Sequence, residues 1–193
     1  MSIKGSFSLL SLLILVACSG DGTQGVGQPS SNAVVYNGSS YPVAQGLADA
    51  YGETATHYNV DFGFTDGYFS PYTDYTDSVP VTTWINNSVR TELDLELYSP
   101  GTDGFRTGTF AYTPLSIDET DDPSLVGAYF FNEAYVGFDT NGDNEVLEAE
   151  EVDVTGGTVT VSGTAPNYQV TFNLQLANGL TVTGSFAEEF IVD

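Results

Sequence analysis

The sequence predicts an all-β domain: an antiparallel meander of about eight to ten strands forming a β-sandwich or flattened up-and-down barrel. Three observations predict it. From Ala33 onward apolar residues recur at every second position in short runs, the period of a half-buried strand rather than a helix. Asn-Gly, Gly and Pro separate the runs, and these residues reverse an antiparallel chain. No sustained 3.6-residue apolar period follows the first 32 residues, so nothing remains to make the helical crossovers of a parallel sheet.

The elements follow in order. Val34-Val35-Tyr36 and Tyr41-Pro42-Val43 flank Asn37-Gly38-Ser39-Ser40, a hairpin whose Pro42 points to an edge strand. Gln45 to Tyr51 reads as one helical turn. Tyr58, Val60, Phe62 and Phe64 alternate with His57, Asn59, Asp61 and Gly63, giving a strand with one apolar and one solvated face. Asp66 to Pro80 lacks alternation and reads as a loop carrying Tyr68, Phe69, Tyr72 and Tyr75. Thr91, Leu93, Leu95 and Leu97 then oppose Glu92, Asp94 and Glu96 in the cleanest period-two pattern of the chain. Gly108 to Tyr112 makes a short strand, and residues 115 to 124 a second loop. Ala128, Phe130, Ala134, Val136 and Phe138 share a strand face, with Phe131 and Tyr135 on the other. The remainder is two coupled hairpins: Val152 to Val161 pairs with Tyr168 to Leu176, which turns at Asn178-Gly179, a type I′ signal, into Leu180, Val182, Gly184 and Phe186.

Composition sets the function classes. Against 26 acidic residues the chain has three basic ones, for a net charge of −23. Phosphate backbones are bound through lysine and arginine, so nucleic-acid binding is excluded, as is attraction to anionic membrane surfaces. The acidic surplus serves solubility, or else makes a surface that collects cations. One cysteine, Cys18, permits no internal disulfide. Twelve Phe and twelve Tyr supply the packing instead.

Three segments divide the chain: a leader over residues 1–17, a tether over 18–32 rich in Gly and Ser, and a single β domain over 33–193. The leader has Lys4, then an apolar run from Phe7 to Val16, too short to span a bilayer, then Ala17 before Cys18. Leu15-Val16-Ala17-Cys18 resembles the lipobox of bacterial lipoproteins, and the layout of the domain resembles small all-β envelope lipoproteins of Bacteroidota type. The first resemblance implies lipidation of Cys18, cleavage before it and acylation of the new N-terminus, which together anchor a protein stably. Ser19 follows where an inner-membrane retention signal has Asp, implying an outer-membrane protein facing the periplasm or the cell surface. Its partners are then the membrane, through the lipid, and a glycan or an envelope protein.

Two stretches carry candidate chemistry. Asp139 to Glu150 resembles an EF-hand-type calcium loop, with oxygen ligands from Asp139, Asn141 and Asp143, a backbone carbonyl at Glu145 and a bidentate Glu150. It departs from the pattern at Asn144, where Gly is usual, and at Leu147, and no helix precedes it. The other reading is a plain hairpin turned at Asn141-Gly142. In the second stretch, Tyr68, Tyr72 and Tyr75 either stack on sugar rings or seal the underside of their own loop. Enzymatic signals are weak. His57 reads as a solvated strand residue sharing a face with Asp61, and no Gly-x-Ser-x-Gly or zinc set accompanies it. The expectation is a non-catalytic binding or structural domain; a calcium-stabilised glycan- or protein-binding module and a small glycoside hydrolase are the alternatives.

Overall fold

The computed structural model describes residues 32–75, 81–115 and 122–193. Thirteen strands occur among them: β1 (Ala33–Tyr36), β2 (Ser39–Pro42), β3 (Gln45–Thr54), β4 (His57–Thr65), β5 (Tyr68–Asp74), β6 (Val81–Asn87), β7 (Thr91–Pro100), β8 (Gly108–Tyr112), β9 (Phe130–Phe138), β10 (Glu151–Thr164), β11 (Asn167–Leu176), β12 (Thr181–Phe186) and β13 (Ile191–Val192). Eleven form one curled sheet, a half-barrel, in the order β13-β3-β4-β7-β9-β8-β10-β11-β12-β1-β2; β5 and β6 pair separately. The all-β expectation holds, but a clean antiparallel meander of eight to ten strands does not. β8 runs parallel to β9 and β13 parallel to β3, so the sheet is mixed.

The inner surface is filled by aromatic and branched side chains. Phe62 and Phe64 of β4, Phe110, Phe131, Phe186, and Leu93, Leu95 and Leu97 of β7 are buried to within about one per cent of their area. Phe62, Phe64, Phe186 and Phe190 meet edge to face with ring centroids 5.0 to 5.9 Å apart. Each such ring contributes roughly 1.5–3 kcal/mol of burial, and the edge-on geometry adds to it. Gly184 lies so close to the carbonyl of Ala33 and the ring of Phe172 that no Cβ fits there.

Four local expectations are corrected. Gln45 to Tyr51 is strand β3, not a helical turn, because its Leu47 and Ala48 are recruited to pair with β4 and become buried. The Asp66–Pro80 stretch is not a loop where it is described: Tyr68–Asp74 is a strand, paired residue for residue with Val81–Asn87. Asn178-Gly179 does not make a type I′ turn. Only Gly179 has positive φ (81°), and its N–H donates to Leu176 O at 2.9 Å, the arrangement of a type I turn closed by a left-handed glycine. In β9 the register slips opposite Leu95 and Leu97, so Phe131, Ala134 and Val136 reach the main core while Phe130 faces the other way. The Asn37-Gly38 hairpin stands as expected, with positive φ at both residues and β2 at the sheet edge.

His57 is also corrected: it is fully buried, not solvated. Its Nε2 donates to Leu125 O at 3.1 Å and Ala128 O at 3.2 Å, and its ring meets Phe130 edge-on at 5.0 Å. It pins the short turn Pro123–Leu125 onto the outer surface of the sheet, where Tyr98, Phe130 and Leu125 form a second apolar cluster.

Candidate functional site: an acidic, aromatic-walled groove

Once Leu93, Leu95 and Leu97 are committed to the core, strand geometry sends Glu92, Asp94 and Glu96 to the opposite face. Registry then aligns neighbours into rows across β3, β4, β7, β9 and β10. One row reads Gln45, Thr65, Glu92, Gly137, Glu151; the next Leu47, Gly63, Asp94, Tyr135, Asp153; the third Asp49, Asp61, Glu96. The third row ends at the β9 slip, which carries Asn132 and Glu133. Directly opposed residues have Cβ atoms about 4.5–5.5 Å apart, and like charges so placed are destabilising. Asp61 is therefore flanked on both sides by carboxylates.

The β5–β6 hairpin roofs part of this face. Phe69 N–H donates to Gln45 Oε1 at 2.8 Å, Asn86 Nδ2 to Glu92 Oε2 at 2.9 Å, and Trp84 Nε1 to Asp193 Oδ2 at 2.7 Å. The Phe69 ring rests on Gly63, 3.2 Å from the point a Cβ would occupy. At the hairpin's base Asp66 accepts from the N–H groups of Arg90 and Thr91 and pairs with the Arg90 guanidinium at 2.9 Å. Under the roof lies a cavity of about 190 Å³ lined by Asp49, Tyr51, Asp61, Trp84, Asn86, Asp94 and Tyr135, among others. A neighbouring hollow of about 230 Å³ shares Tyr51, Asp61, Asp94 and Tyr135 and adds Glu96 and Glu133. Together they make one groove.

Among the described residues no basic side chain lines either part of the groove. Burial, then Asp94, Glu96 and Asp49, push the Asp61 carboxyl up to about 8. Burial, then Glu92 and Glu96, push Asp94 up to about 7. Burial raises Asp49, Glu92, Glu96 and the Tyr135 hydroxyl as well. Tyr98 OH donates to Glu96 Oε1 at 2.6 Å. Yet Asp61 Oδ1, Glu96 Oε2, Asn86 Oδ1, Asn59 Nδ2 and both amide atoms of Asn132 are buried without a hydrogen-bond partner among the described residues. Such atoms cost free energy until a donor or acceptor reaches them. The carboxylates stand side by side on one wall and do not face each other across a deep cleft. That arrangement can hold a cation or accept hydrogen bonds from a bound molecule.

The sequence-predicted residues fall elsewhere. Cys18 lies outside the described residues. Tyr68 and Tyr72 share the outward face of the hairpin, and Tyr75, beyond the end of β5, has the opposite parity; all three are exposed and none lines the groove. The Asp139–Glu150 loop joins β9 to β10 and is not a tight turn at Asn141-Gly142. It closes on its own oxygens: Asp139 accepts from the N–H groups of Gly142 and Asn144, Asn141 Oδ1 from Asp143, Asp143 Oδ1 from Glu145, and Glu150 from Thr140 and Leu147. Slight desolvation of Asp139 is outweighed by the Gly142 and Asn144 N–H groups, which hold it below the usual carboxylate range; the Thr140 hydroxyl and N–H do the same for Glu150. Asn144 takes the left-handed conformation the sixth position requires, φ 63°. Among the described residues no three His, Cys, Asp or Glu side chains converge as a metal group. A calcium ion in this loop would need Asn141 Oδ1 and the Glu145 carbonyl to complete the set of six or more oxygens.

Asp61, Asp94 and Glu96 were visible as polar members of alternating strands, but nothing along the chain says which strands are neighbours. The overlooked signal was Val81-Thr82-Thr83-Trp84-Ile85, a run of β-branched and aromatic residues that favours the strand roofing them. No protein family, curated protein or solved structure matches the chain.

Proposed function

We propose that this chain is a lipid-anchored envelope protein of the outer membrane whose β domain binds a ligand without catalysis, and that the ligand occupies the groove beneath the β5–β6 hairpin. The observation that carries this reading is the groove's lining: Tyr51, Trp84 and Tyr135 beside carboxylates and an amide with unpartnered buried oxygens. Aromatic walls with a few converging polar groups are the general make-up of ligand sites. The lateral placement of the carboxylates speaks against a hydrolase, which sets its two acids on opposite sides of the scissile bond.

The test is thermal unfolding of the full chain in detergent against panels of oligosaccharides, amines and metal salts. A groove ligand at a hundred times its dissociation constant adds about 2.7 kcal/mol, a rise of about 5–10 °C for a chain of this size. That rise should vanish in Trp84→Ala and Asp94→Asn. A rise that survives both variants, or turnover of a glycoside, overturns the reading. Replacing Cys18 with Ser should release folded protein from the membrane fraction; retention there refutes the anchor.

A second reading concerns the Asp139–Glu150 loop, as a calcium clip ordering the β9–β10 connection. Its support is that the loop's own N–H groups orient Asp139, Asn141, Asp143 and Glu150 and leave lone pairs on each. Millimolar calcium should raise the melting temperature and a chelator reverse it; no shift discards the clip.

A further inference from the structure

We propose that the groove's ligand is an organic cation, a short linear di- or polyamine whose ammonium groups seat on the Asp49–Asp61–Glu96 row between Tyr51, Trp84 and Tyr135. The inference rests on the groove being the ligand site and adds the chemical class.

Four observations lead to it. The first is charge without a counter-charge among the described residues: there Arg90 is held by Asp66 at the hairpin base, and Arg106 reaches only Asp103, at 4.0 Å. The second is unspent hydrogen-bonding capacity. Asn59, 6% exposed, lies beside Asp61 on the same face of β4 and draws its carboxyl back down slightly, yet among the described residues no group completes a hydrogen bond to its Nδ2 or to Asp61 Oδ1. Asn132, 7% exposed at the β9 slip where the row ends, has neither amide atom paired, and Glu96 Oε2 is unpaired beside it. An ammonium group brings three donors to a set dominated by acceptors. The third is the walls. Ring faces of Trp and Tyr attract ammonium groups within about 6 Å, and they have no corresponding advantage for a hydrated metal ion.

The fourth is spacing. Adjacent strands lie about 4.7–4.9 Å apart, so the carboxylates form a ladder at that interval and do not enclose a point. Among the described residues no three carboxylates converge as a metal group. A chain of amines separated by a few methylenes suits a ladder; calcium, which gathers six to eight oxygens around one centre, does not. The ladder's side-by-side carboxylates raise one another's proton affinity, which an arriving cation reverses.

The experiment is isothermal titration calorimetry of the full chain in detergent at pH 8 and low salt. The probes are spermidine, 1,5-diaminopentane, its neutral isostere 1,5-pentanediol, methyl glucoside and calcium chloride. Spermidine and the diamine should bind with defined stoichiometry, and the diol should not. Asp61→Asn should weaken the amines at least tenfold, while Glu189→Gln, on an exposed carboxylate that is not part of the groove's lining, should leave them unchanged. Asp61→Asn relieves repulsion, so the variant folds, and circular dichroism verifies this. Equal weakening by both variants reduces the effect to bulk charge and overturns the inference. Binding of the glucoside or the diol that requires Asp61 overturns the cationic class and keeps the groove; calcium displacing spermidine from the row overturns the amine in favour of a metal. If none of the five probes binds, the inference fails, and the groove itself falls only if the wider thermal screen is also empty.

Discussion

Replacing Asp61 with asparagine should stabilise this protein, and more so as the pH rises. Asparagine keeps the size and shape of the side chain and mimics the protonated acid. In the folded chain the Asp61 carboxyl titrates near 8, against 3.8 for an exposed aspartate, chiefly because of burial and then because of Asp94, Glu96 and Asp49. Between those values the native state holds a proton that the unfolded chain has released. Native stability therefore falls as pH rises from about 4 to about 8, and the loss is complete above that range. Each unit of displacement is worth about 1.36 kcal/mol, which gives about 1.6 kcal/mol at pH 5 and between 5 and 6 kcal/mol, roughly, at pH 9. The groove is open to solvent along one side, and screening takes away roughly half. The expected gain for Asp61→Asn is then about 1 kcal/mol at pH 5 and about 3 kcal/mol at pH 9, a difference of about 4–8 °C in Tm. Thermal unfolding followed by circular dichroism at both pH values measures it. A gain no larger at pH 9 than at pH 5, or a loss at pH 9, would refute the reasoning that burial and the neighbouring carboxylates disfavour the ionised Asp61.

Other expectations rest on different parts of the fold. His57→Ala leaves the Leu125 and Ala128 carbonyls without a donor and removes the ring against Phe130; urea titration should show a cost of about 2–4 kcal/mol, and an unchanged midpoint would contradict the anchoring role. Gly184→Ala forces a methyl group against Ala33 O and the Phe172 ring, and should lower stability by about 1–3 kcal/mol in the same titration. Trp84→Phe deletes the bond to Asp193 Oδ2; amide exchange should accelerate through β5 and β6 while the main sheet stays protected. Uniform acceleration would mean that the hairpin is an integral part of the sheet's cooperative unit.

The main sheet was legible wherever a strand has one apolar and one polar face. Leu93, Leu95 and Leu97 against Glu92, Asp94 and Glu96 fix which side of β7 is buried, and β4 and β11 read just as clearly. What period-two counting cannot carry is a change of parity. At Asn132 and Glu133 the β9 register slips, so a count begun at Phe130 assigns every residue from Ala134 onward to the wrong face. Strands without a clear apolar face were missed for a related reason: β3 begins Gln45-Gly46-Leu47, and part of its burial comes from partners distant in sequence, β13 beside Leu47 and Ala48 and the Phe186 and Phe190 rings against Gly46. The groove was illegible because it is a property of adjacency. Asp49, Asp61 and Glu96 lie in separate segments, and only the registry of β3, β4 and β7 puts them in one row. The tyrosines of β5 drew attention by their density, yet pairing with β6 turned Tyr68 and Tyr72 outward.

The position of the β5–β6 hairpin in the chain has its own consequence. β4 and β7 are antiparallel neighbours joined at Thr65↔Glu92, with Asp66 N–H bonded to Thr91 O at 3.2 Å. Everything between those residues leaves the sheet and returns to the same place. The hairpin is thus covalently joined to the scaffold only at a narrow neck, and lengthening an excursion from such a neck costs little closure entropy, about 0.6 kcal/mol per doubling. The roof can be exchanged, shortened or redecorated while the acidic floor stays in register. Under the proposed binding role selectivity becomes a cassette, and grafting a different hairpin between Asp66 and Arg90 is the way to retarget it.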